Sequence, residues 1–301
     1  MSGQRPSREE FESSLEFIAA VQNGDLSEVS GAGRSKEDRS LLAHELLSAA
    51  EDATQPLEMI PHLLRAVRLD PACLDARMLL ATIAGGPRDE LIEEFQQILV
   101  TGETDLGKKF FQENSGHFWL LIETRPYMRA RARLAELLQD AGRIDEAISH
   151  FEAMLQLNPN DNQGVRYTLM CCYLQTGKLE ASRILFSRYN EETALWLWSG
   201  VLERYLATEL PEAIGLLARA RKENRYFEEF LTKRRALPKD PPPYYSPGSI
   251  SEAVVCIVTI GKAWMQYPEV LTWLNKHRGA GKKSVRSKRP KTLKAASDYL
   301  Q

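Results

Sequence analysis

The chain has 301 residues, which is typical of about two domains or of one elongated repeat array. Its composition, with 43% hydrophobic and 27% charged residues, 18 glycines and 15 prolines, excludes a fully disordered chain and the collagen and low-complexity classes. Four cysteines are too few for a disulfide framework, and a net charge of -2 is unremarkable for a globular protein.

Helical periodicity runs along nearly the whole sequence, and alternating strand patterns are nearly absent. A capping box at residues 7–10 precedes apolar residues at Phe11, Leu15 and Ile18, which predicts a first helix ending near Gly24. Residues 27–39 are polar and are predicted to form a loop.

Two helix pairs are predicted next. The first comprises residues 41–50 and 57–69, and the second comprises residues 74–84 and 91–100, with a stop signal at residues 85–87 between the last two helices. Residues 101–116 are polar and contain several glycines, so they are predicted to form a connecting loop.

Two stretches of the chain align with each other on a glycine turn. Gly142 and Gly177 lie 35 residues apart, as do Phe151 and Phe186, and tetratricopeptide repeats have a period of about 34 residues. The first stretch contains an apolar stripe on each of two helices and ends at Asn158-Pro159. The small residues Ala135 and Ala147 would let its two helices pack closely.

A third repeat is predicted from helices at residues 194–206 and 211–220, although it lacks the glycine turn and has Arg225 in place of the final proline. An upstream repeat ends at Asp70-Pro71, which resembles Asn158-Pro159. The predicted fold is therefore all-α, a solenoid of tetratricopeptide-like antiparallel helix pairs with about four units.

After the repeats, residues 237–245 form a proline-rich segment in which Tyr244 and Tyr245 are expected to pack onto the repeats. The alternative is that residues 241–244 are a PPxY motif for a WW domain. Helices are predicted from Ser249 to about Met265 and from Pro268 to about residue 276.

No segment is predicted to span or to target a membrane. The longest apolar run, residues 253–260, is far shorter than the roughly 20 residues that a spanning helix needs, and we interpret it as a buried helix. The first residues lack the apolar core of a signal peptide. Together with the cysteine content, these features predict a cytoplasmic protein.

The last residues, 278–301, carry eight basic residues and one acid, so this tail has a net charge of +7 and the first 277 residues have -9. The tail is predicted to be disordered. The alternative is that it binds an anionic partner such as nucleic acid through Lys282, Lys283, Arg286, Lys288, Arg289 and Lys291. The predicted division of the chain is an N-terminal helical region (1–115), a repeat domain with capping helices (116–277) and the tail (278–301).

The blocks at residues 116–119, 123–131 and 157–167 resemble those of the suppressor of tumorigenicity seven family, in particular its shorter microbial members. The resemblance covers roughly residues 116–274. It implies a helical-repeat protein without established catalysis. The membrane-anchored members have spanning segments that this sequence lacks, so the resemblance carries no membrane localisation over.

Enzyme motifs are not found, so no catalytic residue, metal or cofactor is predicted. The most suggestive polar cluster is His117, Glu123 and Arg125. A catalytic interpretation needs a nearby nucleophile or a perturbed acid, which the sequence does not show. We expect instead that Arg125 pairs with Glu123 and fixes the loop that enters the first clear repeat; the other alternative is a partner contact.

The predicted function is that of a non-catalytic scaffold that binds protein or peptide partners, because the first helix of each tetratricopeptide repeat lines a concave surface. Two alternatives remain for this surface: an open peptide groove, or a groove covered by the chain itself, through residues 227–245. The predicted groove residues are Arg129, Glu136, Tyr167, Leu174, Leu195, Trp198, Leu202 and Tyr205.

Overall fold

The computed structural model describes residues 34–240, 242 and 244–278, and every regular element within these ranges is helical. The all-α fold with repeated helix pairs is thus confirmed. The chain divides between Thr176 and Gly177 into two compact units. The domain boundaries at residues 115 and 277 remain predictions, and the predicted first helix and the tail lie outside the described residues.

The first unit contains seven α-helices and two short 3-10 helices at residues 118–120 and 122–124. Consecutive α-helices pack against each other. They are α1 (Lys36–Glu51), α2 (Pro56–Leu69), α3 (Leu74–Ala84), α4 (Arg88–Asn114), α5 (Arg125–Asp140), α6 (Ile144–Leu157) and α7 (Val165–Gln175).

The second unit contains six helices, and its core lies between α9, α11 and α12. They are α8 (Leu179–Arg188), α9 (Ala194–Leu206), α10 (Leu210–Glu223), α11 (Tyr226–Leu231), α12 (Ile250–Met265) and α13 (Pro268–Lys276). The helices predicted for the third repeat and for residues 249–276 are present, each within three residues of its predicted ends.

Two loop predictions are wrong. Residues 36–39 belong to α1, because Ser35 caps the helix by accepting a hydrogen bond from the Asp38 amide at 3.1 Å. Residues 101–114 continue α4, with one break at Gly107 (φ 77°). Packing overrides the polar composition there, since the Phe111 ring lies 4.9 Å from Phe118.

The repeat turns have the geometry that their sequence predicts. Gly142 and Gly177 both have positive φ, 78° and 69°, which a glycine adopts without steric cost. The small residues Ala135 and Ala147 are fully buried, so α5 and α6 approach closely at these positions. All four cysteines are also buried, as small apolar residues would be.

The third repeat makes the same turn without a glycine. Thr208 has φ 62°, and its amide donates to the Tyr205 carbonyl as the Gly142 amide donates to that of Gln139. The turn that the sequence lacks is therefore present, in a conformation that a β-branched residue rarely adopts.

The prediction for Tyr244 and Tyr245 is wrong, because their side chains are exposed, Tyr244 to 83%. The end of this connection is instead held by Asn224 at the end of α10. Its side-chain amide donates to the Ser249 carbonyl and to Glu252, both at 2.8 Å.

Candidate functional site

A pocket of about 600 Å³ lies where α1, α3 and α5 begin, in the first unit. We call it the α1–α3–α5 pocket. Its lining includes Lys36 on α1, Asp75 on α3, Asp105 on α4, and Arg125 and Arg129 on α5. Three consecutive odd-numbered helices thus contribute their first turns, as expected for a surface formed by the first helices of successive repeats.

Two ion pairs hold neighbouring helices around this pocket. Arg129 forms a bidentate pair with Asp75, at 3.0 and 2.5 Å, which joins α5 to α3. Lys36 Nζ lies 2.6 Å from Asp105, which joins α1 to α4, and this hydrogen bond raises the pKa of Lys36. The predicted groove residue Arg129 therefore belongs to a charged wall of the pocket. The other members of this wall, on α1, α3 and α4, were not predicted from the sequence.

The loop before α5 is not held by the predicted pair of Arg125 and Glu123. Arg125 contacts Trp119 rather than Glu123: its Nε donates to the Trp119 carbonyl at 3.1 Å, and its guanidinium lies 5.3 Å from that ring. Buried Thr124 donates to the carbonyls of Phe118 and Leu121. The predicted cluster is only partly assembled, because Glu123 and Arg125 line the pocket whereas exposed His117 does not.

An apolar side chain stands at the pocket beside these charges. Ile122 lines it and is 74% exposed. The neighbouring Leu120 is 68% exposed. Large exposed apolar residues beside a concave, charged surface are the arrangement from which protein interfaces draw their binding energy.

The one cysteine that lines the pocket is not activated as a nucleophile. Cys73 lines it, but burial raises the pKa of its thiol to about 11, so the nucleophilic thiolate is scarce near neutral pH. Within the described residues no cluster of histidine, cysteine or carboxylate side chains could hold a metal ion.

The remaining groove residues of the first unit differ in exposure. Glu136 is exposed and pairs with Arg133 at 3.1 Å. Tyr167 is half-buried and stacks under the Arg166 guanidinium at 4.4 Å. Leu174 is fully buried. Among these residues only Glu136 and Tyr167 offer surface to a partner.

In the second unit the predicted groove residues lie in or beside an aromatic core. Trp198 and Leu202 are fully buried, and Leu195 and Tyr205 are half-buried. The Trp198 ring lies 4.9 Å from Phe227 on α11, and its Nε1 donates to the Asn224 carbonyl at 2.9 Å. These are the contacts expected where the chain covers this face itself.

A buried charge network in the second unit was not predicted. Glu203 on α9 is 1% exposed and accepts a hydrogen bond from Arg183 at 2.8 Å. Arg183 and Arg204 both pair with Glu209, at 2.5 and 2.7 Å. The only sequence signal is a single acid in a largely apolar helix. Because Arg183 and Arg204 both pair with Glu203, we assign the network to holding α8, α9 and the following turn together.

The tail residues predicted to bind anions lie outside the described residues, as does the N-terminal capping box. Among the helices that the structure describes, none combines the length and the apolar character needed to cross a bilayer.

Comparison with known proteins identifies the repeats. The family described as Tetratricopeptide repeat matches residues 138–195, a segment that begins within α5 and ends within α9. No curated protein matches the sequence. The chain therefore contains tetratricopeptide repeats, which in general mediate contacts between proteins.

Proposed function

We propose that this protein is a non-catalytic scaffold that binds a protein partner at the α1–α3–α5 pocket. The observation that carries the proposal is Ile122, which is 74% exposed at a charged pocket formed by the first turns of three helices. Such an apolar side chain would supply binding energy, and the ion-paired walls would supply specificity.

The wider context is consistent with this function. Tetratricopeptide repeats generally mediate protein–protein interactions. The resemblance to the suppressor of tumorigenicity seven family points to the same class of function, and we propose membership of that family on those residues alone. The four cysteines are buried and form no disulfide, which favours a reducing compartment, so we propose the cytoplasm as the location.

Only some of the predicted groove residues are accessible to a partner. Arg129, Glu136 and Tyr167 remain candidates for partner contacts, because they keep exposed or half-exposed surface. Trp198 and Leu202 are assigned to the core of the second unit, because they have no exposed surface through which to bind.

The test is affinity capture with mass spectrometry on the full-length wild type and on Ile122→Asp. The matched control is Ile184→Asp on α8, since Ile184 is 62% exposed but lies in the other unit. A partner lost with Ile122→Asp and retained with Ile184→Asp supports the proposal. If both variants recover every wild-type partner, the proposal fails.

A further inference from the structure

A second cavity, of about 720 Å³, lies in the first unit between the second half of α4 and the last turns of α6, with α5 as its floor. We call it the α4–α6 groove. Its volume is within the range of about 300–1,000 Å³ that is usual for binding pockets. Apart from Tyr127, it shares no lining residue with the α1–α3–α5 pocket, so it is a separate surface.

The groove forms because α4 and α6 both pack on α5 and make little direct contact with each other. Gly107 contributes to it, since the break in α4 at φ 77° lies within the lining. A side chain built on Gly107 would meet nothing within 4 Å, which shows that the groove is open at this point.

The walls of the groove, on α4 and α6, carry apolar side chains. Val100 on α4 is 52% exposed. The half-buried side chains of Phe111 on α4 and Leu157 on α6 also line the groove. Phe111 is held by an edge-on contact of 5.2 Å with the ring of Tyr127. Val100 lies in the middle of α4 beside an aromatic ring, and its exposed side chain leaves apolar surface for another molecule to cover.

The charges of the groove leave one cation uncompensated. Glu103 accepts hydrogen bonds from Arg131 and from the Tyr127 hydroxyl, both at 2.9 Å, so the Glu103 and Arg131 charges offset each other. Lys108 is exposed and has no ion-pair partner among the residues that the structure describes. The edge of the groove therefore attracts a negative charge.

We propose that the α4–α6 groove binds an acidic amphipathic helix of a partner protein, with its apolar side chains over Val100 and a carboxylate beside Lys108. A trough between two helices with apolar side chains on its walls is the shape into which a helix packs, through apolar residues spaced three and four positions apart. Lys108 selects acidic over basic partners.

The probe is a fluorescein-labelled synthetic peptide of about 16 residues, long enough to form about four helical turns when bound, with leucine and phenylalanine at the i, i+3, i+4 and i+7 positions and glutamate elsewhere. A matched peptide has lysine in place of glutamate. Binding to the full-length protein is measured by fluorescence anisotropy. We expect the acidic peptide to bind more tightly than the basic one.

Variants locate the binding. Val100→Asp should raise the Kd of the acidic peptide about tenfold or more, because it places a charge against apolar side chains. Lys108→Glu should raise it about three- to tenfold and should improve binding of the basic peptide. Ile122→Asp, at the other pocket, should leave both Kd values unchanged.

Three results would overturn the inference: equal binding of the two peptides, no binding of the acidic peptide, or loss of binding in Ile122→Asp. A change in molecular mass in solution on introducing Val100→Asp would instead assign the groove to a second copy of the chain. Because the probe is synthetic, these results are independent of whether capture identifies a partner for the α1–α3–α5 pocket.

Discussion

Thr208 forms the turn of the third repeat in a strained backbone conformation. It occupies the position of Gly142 in the third repeat, with the same backbone hydrogen bonds but φ 62° on a β-branched residue. Such conformations store on the order of 1 kcal/mol or more. From the sequence, this position was recognised only as lacking the expected glycine. The flanking helices force the chain to turn here, so the residue at the turn does not itself indicate a positive φ.

We therefore expect Thr208→Gly to stabilise the protein by about 1 kcal/mol, since the relief of strain exceeds the entropy that glycine adds to the unfolded chain. Chemical denaturation of wild type and variant measures the change. Gly142→Thr is the reciprocal control and should destabilise the protein. A destabilised Thr208→Gly variant would show that the threonine conformation is not strained.

His150 on α6 gives the protein a sensitivity to acid. Burial and, next, the charge of Arg131 lower its pKa, against the opposing effect of Glu103 and Glu146. Because the folded pKa lies below the unfolded value of about 6.5, the unfolded chain takes up the proton first. The stability linked to His150 is thus complete above about pH 6.5 and is lost as the pH falls through the folded pKa.

The measurement is the free energy of unfolding at pH 7.5 and pH 5.5. The wild type should lose more stability between these values than His150→Gln, which cannot titrate. His44 on α1 is exposed, so His44→Gln is the matched control and should behave as the wild type does. Equal losses in the wild type and His150→Gln would contradict the assignment.

Among the elements, the helices were predictable and two loops were not. Helix α9 was predicted with its observed ends, because its apolar pattern is strong. The structure adds that Thr193 caps it by accepting a hydrogen bond from the Trp196 amide. The second half of α4 was assigned to a loop, since its polar residues show no stripe. Phe111 in this half packs against Phe118 and Tyr127, which both lie outside α4, so no pattern within the segment itself shows these contacts.

Whether the aromatic face of α9 is open or covered could not be predicted from the sequence either. Its aromatic residues were compatible with either an open groove or a covered one, because composition does not tell what lies opposite. Trp198 packs against Phe227 and lies 5.9 Å from Trp264 on α12. Covering this face is thus a property of α11 and α12, which follow the repeats.

Trp198→Ala should therefore destabilise the protein by about 3–5 kcal/mol, because it empties a fully buried site and leaves the Asn224 carbonyl without its donor. Urea denaturation followed by circular dichroism measures the loss. Ile184→Ala, at an exposed position of the same unit, should change the stability by less than about 0.5 kcal/mol. A Trp198→Ala variant as stable as the wild type would mean that Trp198 is not part of the core.

At the scale of the whole molecule, the class of fold follows from the sequence and the site follows from tertiary structure. The repeat period and its glycine turns predicted helix pairs, and residues 138–195 match tetratricopeptide repeats. The α1–α3–α5 pocket joins Lys36, Asp75 and Asp105 to Arg129, residues that up to 93 positions separate. No local pattern brings these together; only the stacking of successive helices does.

Photo-crosslinking tests whether a protein partner binds at the α1–α3–α5 pocket. A photoreactive amino acid is placed at position 122, and in a second protein at position 184, in the full-length chain within cells. We expect a discrete crosslinked protein from position 122 that is absent from position 184. A crosslinked partner from position 184 alone, or the same pattern from both positions, would contradict it.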